Sequence, residues 1–198
     1  MKYLTLRLLA PVAASAVIAG LSACGEQSVP RASESTAATS PSASATADVP
    51  AGFATHGFPT VAATSHVDAG QAATVHAGGI TVTIPVGAIA SASTFQLLTG
   101  DTATFQRLAP NGQKILAAFA FRVIDDTTHQ LIVKFGAPVV VAVDDPAVTA
   151  GSVYENVNPT DPLTIVANPV APKINGTVLS HGNVGAGVGW VVASPSNG

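Results

Sequence analysis

The sequence predicts an all-β protein, an antiparallel sandwich of about eight to ten strands, on three observations. Hydrophobic residues are 47% of the 198, yet aromatics are only 5%, so the core is drawn mainly from Ala and Val. Small and β-branched side chains suit a pleated sheet better than a helix. The second observation is that 18 Gly and 14 Pro are scattered along the chain, as expected where many short strands are joined by turns. The third is that turn signals recur every eight to twelve residues or roughly so after residue 53, while no stretch there carries helical periodicity. No internal repeat is present that would indicate a propeller or a solenoid.

Taken in order, residues 53–68 hold Gly57, Pro59 and little periodicity, which predicts an irregular or edge segment. Ala73-Thr74-Val75 leads through Gly78-Gly79 into Ile80-Thr81-Val82-Thr83-Ile84, an alternating strand that Pro85 ends. Thr94–Leu98 is the next strand, closed by Gly100-Asp101. Pro110-Asn111-Gly112 reads as a turn. It opens the longest strand, Lys114–Ile124, with Phe119, Phe121 and Val123 on one face. Asp125-Asp126 turns the chain into Gln130–Phe135, and a Val-rich strand at Pro138–Val143 ends in Asp144-Asp145-Pro146. Ser152–Val157, Leu163–Ala167, Thr177–Ser180 and Val188–Ala193 complete the set, so the ordered core is expected over about residues 70–195.

The first residues have a different character. Lys2 and Arg7 form a short positive segment, and the uncharged stretch from Leu8 to Gly20 is too short to cross a bilayer comfortably. Leu21-Ser22-Ala23-Cys24 follows. This resembles the lipobox of bacterial lipoproteins: an aliphatic residue, two small residues and a cysteine. The resemblance implies cleavage between Ala23 and Cys24 and diacylglycerol attachment to the Cys24 thiol. Small residues let an extended chain lie close in a peptidase site, and two acyl chains, at about 0.8 kcal/mol per buried CH₂, hold where one would be marginal. Cys24 is the only cysteine, so the domain that follows is built without disulfides. Residues 25–52 are Ser, Thr, Ala and Pro with few large apolar side chains, a composition that predicts a flexible tether and also admits O-linked sugar. Twenty-eight such residues reach roughly 30 Å. The expected division is a leader over 1–23, lipidated Cys24 with its tether to 52, and a β-sandwich domain over 53–198.

Without the leader the chain carries six Lys and Arg against eleven Asp and Glu, a net charge of −5. An acidic body with no basic stripe offers no footprint for nucleic acid, and nothing beyond the anchor to attract it to anionic lipid.

Gly78-Gly79-Ile80-Thr81-Val82-Thr83-Ile84-Pro85-Val86-Gly87-Ala88 is similar to the opening of the β-sandwich module shared by ankyrins, netrin receptors and zonula occludens proteins. There a Gly-containing turn feeds an alternating strand and an Ile-Pro-x-Gly-Ala segment closes it, matched here by Ile84–Ala88. The likeness covers about a dozen residues. It implies a sandwich that mediates protein–protein contact. Some relatives cleave themselves at a His-Phe-Ser-like triplet; Ser180-His181-Gly182 lacks the hydroxyl after the histidine, so that activity does not carry over.

Four sets of residues are candidates for chemistry. Asp125-Asp126 and Asp144-Asp145 each end a strand, and loops meeting at one end of a sandwich would offer oxygen ligands to Ca²⁺ or a carboxylate pair for glycoside hydrolysis. Aspartates also begin turns by accepting from nearby backbone N–H groups. His56, His66 and His76 lie ten residues apart and would stack along a meander to hold zinc; the alternative is five scattered histidines, with His129 and His181. A blue-copper site fails for want of a thiolate in the domain. No Gly-x-Ser-x-Gly elbow is present, and Glu155 is the one glutamate of the domain, so acid–base groups are few. Trp190, beside Gly185, Gly187 and Gly189, is either a core plug or a sugar-stacking platform.

The expectation from sequence is therefore a non-enzymatic lipoprotein without cofactors on the extracytoplasmic face of a bacterial cell membrane. Its partners would be the membrane, through the anchor, and an envelope protein or polysaccharide. Gly25 gives no inner-membrane retention signal. The alternative is an extracytoplasmic Ca- or Zn-binding or hydrolytic protein that uses the Asp pairs and histidines.

Overall fold

The computed structural model describes residues 49, 51–110, 112–160, 162–187 and 189–196. The leader, the lipobox and nearly all of the tether lie outside the described residues. Two antiparallel sheets pack face to face, as the sequence predicts. There are eleven strands rather than eight to ten. One sheet has six strands in the order β1 (Thr60–Val67), β4 (Ser93–Thr99), β5 (Gln113–Asp125), β11 (Trp190–Pro195), β7 (Val153–Asn158), β8 (Thr164–Ala167). The other has five, ordered β2 (Ala73–Ala77), β3 (Ile80–Ile84), β6 (Val139–Asp144), β10 (Val178–Asn183), β9 (Lys173–Asn175).

The strand β1 sets the ordered core about ten residues earlier than the sequence indicates. It is an edge strand with only Val67 fully buried, so its side chains give little alternation to read. Two five-residue helices, α1 (Ala51–Thr55) and α2 (Thr102–Gln106), are too short to leave a period. The first starts two residues inside the stretch read as a tether. The second is capped by Asp101, whose carboxylate accepts from the Ala103 N–H at 3.1 Å. Gln130–Phe135 is not a strand. It keeps a single bridge, Leu131 to Ile124, because the chain here leaves one sheet for the other: Phe135 N–H donates to Val184 and Gly136 N–H to Ala88.

Between the sheets, alternate residues of both inner faces meet. Phe119, Phe121, Tyr154 and Trp190 form the aromatic centre, surrounded by Val82, Val123, Val141 and Leu179. A second apolar layer lies on the outer face of the six-stranded sheet, where Phe58 and Phe105 pack with ring centroids 5.1 Å apart. Glycine is required where that layer closes: a Cβ on Gly100 would lie 2.6 Å from the Phe105 ring and 2.7 Å from the Gly57 carbonyl oxygen. The Gly78-Gly79 turn joins β2 to β3 with Gly78 at φ +57°, and the Ile84–Ala88 segment closes with Ala88 N–H on the Pro85 carbonyl and Gly87 at φ +77°.

Candidate functional site

The two carboxylate pairs do not come together. Asp125 ends β5 opposite Ser93, at the first residue of β4. Asp144 and Asp145 line a cleft with Thr99 and Gly100, at the other end of that strand. Six residues of β4 separate the two positions, about 20 Å of extended chain. Each aspartate is also engaged by neighbours, Asp125 and Asp145 within their own turns and Asp126 and Asp144 by hydroxyls from other segments. The Asp125 carboxylate accepts from Thr127 N–H at 2.9 Å and Thr128 N–H at 2.8 Å. The Ser91 hydroxyl and these amides lower its pKa from the ordinary value to about 2. Asp145 accepts from Ala147 N–H at 2.8 Å, and Asp144 from the Thr177 hydroxyl at 2.7 Å.

Of these four aspartates only Asp126 meets a histidine. Its carboxylate accepts the Thr94 hydroxyl at 2.7 Å and lies 3.0 Å from His66 Nδ1, while His66 Nε2 lies 3.2 Å from Asp68. The other histidines are dispersed. His76 bonds Thr81 across the β2–β3 hairpin at 2.9 Å, His56 follows α1, and His129 occupies a turn at φ 57°. Among the described residues no three His, Cys, Asp or Glu side chains are placed to hold a metal ion.

His181 is in the core. Its ring stacks on Tyr154 at 4.1 Å and 8°, and Nδ1 lies 3.3 Å from Asn183 Oδ1. Asn183 donates in turn to the Tyr154 hydroxyl at 2.9 Å. His181 Nε2 faces the Val170 carbonyl without a hydrogen bond of ordinary geometry. Burial lowers its pKa below the usual imidazole value, against the raising effect of the Asn183 contact. Burial also pushes the Tyr154 phenol well up. These groups are held neutral and out of reach of solvent, an arrangement for packing rather than proton transfer. Trp190 is 6% exposed and closed over by Gly187, where a Cβ would come within 2.9 Å of the indole. It is a core plug, and no face is left for a sugar to stack on.

Two clefts and one end of the sandwich remain as surfaces for recognition. The larger cleft, about 470 Å³, opens between the sheets and is floored by small residues, among them Ala62, Ala77, Gly79 and Ala117, with Asp144 and Asp145 at its rim. The second, about 390 Å³, lies where β8 leaves its sheet and includes Glu155. At the opposite end from the larger cleft, the β3–β4, β5–β6 and β10–β11 loops meet. There Val86, Leu131, Val133 and Val184 are each more than half exposed. The Phe135–Val184 and Gly136–Ala88 hydrogen bonds hold these loops side by side. Four such aliphatic side chains present on the order of a few hundred Å² of apolar surface.

No protein-family model matches the chain, and a comparison with curated proteins finds no match. Among the described residues no helix is long and apolar enough to cross a membrane.

The residues that sequence reasoning did not single out are the aliphatic loop residues and the surroundings of Glu155. Val86 falls in the Ile-Pro-x-Gly-Ala segment, where the turn exposes it. Glu155 had a legible signal: it shares one face of its strand with Val153 and Val157, an acid on an apolar row.

Proposed function

We propose that this chain is a lipid-anchored extracytoplasmic protein whose β-sandwich is a non-enzymatic binding module for an envelope protein or polysaccharide. The observation that carries the anchoring is Leu21-Ser22-Ala23-Cys24 at the end of an uncharged apolar stretch, holding the chain's sole cysteine. Binding rather than hydrolysis is supported by the separation of the Asp125-Asp126 and Asp144-Asp145 pairs and by the use of Asp125 and Asp145 as turn acceptors. The apolar loop end, with Val86, Leu131, Val133 and Val184 exposed together, supports a surface that meets a partner. The likeness of Gly78–Ala88 to a protein-contact module agrees with that.

The test uses the full chain in its own cells. Metabolic labelling with an alkyne fatty acid is expected to mark the wild type and to leave Cys24→Ala unlabelled and released from the membrane fraction. A photo-crosslinker at position 133 is expected to trap a discrete envelope partner, and one at position 102, at the opposite end, is not. A chain that carries no lipid, or a crosslinker at 133 that captures nothing beyond what position 102 captures, overturns the corresponding half of the reading.

A further inference from the structure

The cleft beside Glu155 is made by a local failure of strand pairing. The strand β8 pairs with β7 only from Glu155 to Asn158, and its last residue, Ala167, sits opposite Glu155. Beyond it, Asn168–Pro172 crosses to β9 in the other sheet. That crossing is stiffened by Pro169 and Pro172. It is also pinned by Asn168, which donates to Asn156 at 3.0 Å and accepts from Val170 N–H at 2.9 Å. Val153 and Tyr154 are therefore left with no partner strand on this side, and a cleft of about 390 Å³ remains between β7 and the crossing. Its walls include Val170, Pro172 and Ile174, and no Lys or Arg is among its lining residues.

Glu155 lines this cleft and is 9% exposed. Its cross-strand neighbours are Val191 and Ala167, and its neighbours along the face are Val153 and Val157. It makes no side-chain hydrogen bond among the described residues, and its Oε2 is sealed from solvent without a partner. A buried carboxyl normally has a cation or several donors around it. Nothing in the packing asks for an acid here, since an aliphatic residue would continue the Val153–Val157 row. Such an unsatisfied group beside an open cavity is the mark of a site completed from outside.

We infer that this cleft binds a primary alkylammonium group, with the cation on Glu155 and its aliphatic stem along Val170, Pro172 and Ile174. The chemistry of the walls selects this class. A lone carboxylate rejects anions, the flanking side chains favour a methylene chain, and the domain's excess of acid over base draws cations. The ammonium supplies three donors, which suits one carboxylate and the main chain of Tyr154, which faces away from β11 with no strand beside it. A lysine side chain of a polypeptide and a free small amine share this chemistry.

Burial raises the Glu155 pKa above the ordinary carboxylate value, so the free protein keeps the neutral acid to a higher pH than an exposed glutamate does. Binding then ionises the carboxyl, and the proton leaves to solvent. Affinity rises with pH through this range, and the proton release falls to zero above it. The other titratable groups on the packed elements are Tyr154, whose hydroxyl turns inward to Asn183, His181 behind the Val170 carbonyl, and Lys173 on β9. None of them contributes to the Glu155 shift.

The experiment is calorimetric titration of the full chain in detergent with 1,5-diaminopentane, with Nα-acetyl-lysine N-methylamide and with 1-pentanol, in buffers of different ionisation heat. Saturable binding of at least one amine is expected, weaker by about tenfold or more for pentanol and for Glu155→Gln. Preference for the acetyl-lysine amide assigns the source as a polypeptide side chain, and preference for the diamine assigns it as a free amine. Val170→Trp, which fills the cleft and leaves the carboxyl in place, is expected to abolish binding whether or not Glu155→Gln folds. Absence of binding by both amines at millimolar concentration overturns the inference. So does amine binding that survives Val170→Trp, or that is equal in a folded Glu155→Gln.

Discussion

Replacing Trp190 by Ala separates a core plug from a ligand platform by energy alone. The indole is 6% exposed, its ring centroid lies 4.9 Å from Phe121 and 6.0 Å from Phe119, and Gly187 covers its edge. A tryptophan buries about 150–250 Å² or the upper part of that range, which at about 25 cal/mol per Å² is worth about 5 kcal/mol. The denatured chain already hides part of that area, and the neighbouring rings relax only partly into the cavity. The expected loss is about 3–5 kcal/mol, a fall in melting temperature of roughly 10 °C for a domain of this size. Total stability is of order 5–15 kcal/mol, so the variant stays folded except near the lower end of that range. The assay is urea unfolding followed by far-ultraviolet circular dichroism, because the substitution removes the only tryptophan. Wild-type fluorescence, read in parallel, is expected to be blue-shifted and indifferent to added glycan. A loss under about 1 kcal/mol would refute the reasoning, since substitutions at exposed sites stay within about 0.5 kcal/mol.

Two further outcomes follow from the same geometry. The His181 pKa is lowered in the fold, so the unfolded chain binds more protons, and stability falls as pH drops through the ordinary imidazole value of 6.5. Glu155 acts with the opposite sign: its pKa is raised, and stability falls as pH rises from the ordinary 4.5 through the raised value. Chemical denaturation at a series of pH values is expected to show His181→Phe with a shallower decline on the acid side and Glu155→Gln with a gain toward neutral pH; an unchanged profile in both would count against their burial. Gly100→Ala puts a methyl against the Phe105 ring and the rigid Gly57 carbonyl, and is expected to cost about 1–3 kcal/mol in a thermal melt, whereas a neutral result would mean that this layer is loosely packed.

Most of the fold was legible because the sandwich interior obeys alternation. Ile80, Val82 and Ile84 face inward as written, and so do Phe119, Phe121 and Val123. What resisted reading has local physical causes. In the edge strand β1 the row Ala63, Ser65 and Val67 is only partly covered and a bulge between Val61 and Ala63 shifts the faces, so burial imposes little pattern on it. Residues 130–135 have strand-like side chains, yet the route from one sheet to the other, fixed by contacts with Val184 and Ala88, decides their backbone. The strand β9 is three residues long and exists through its pairing with β10. One aspartate of each carboxylate pair, Asp125 and Asp145, accepts from turn N–H groups as its position suggests, but the distance between the pairs depends on which end of which sheet each strand leaves, and that is not local information. Glu155 was visible as the single glutamate of the domain; its unpartnered state required the register that stops β8 at Ala167.

The strand directions give the molecule two unlike ends, and this bears on how an anchored form would work. The chain leaves α1 and enters β1 at Thr60, opposite Thr99, beside the larger cleft. Val67, the far end of β1, pairs with Ser93, and the aliphatic loops cluster there. Seven residue steps of strand separate Thr60 from Val67, about 23 Å. With Cys24 in a bilayer, a tether that extends away from the membrane presents the Val86–Leu131–Val133–Val184 end outward. For that end to touch the same membrane, the tether would have to run back along the domain, spending most of its roughly 30 Å of average reach. Asp68, Asp125 and Asp126 border the aliphatic loops and would also meet anionic headgroups with like charge. If the chain is anchored and binds a partner as proposed, shortening residues 25–48 is expected to leave crosslinking at position 133 intact until the domain is drawn against the headgroups. Loss of crosslinking on removal of only a few tether residues would instead place the partner at the membrane surface.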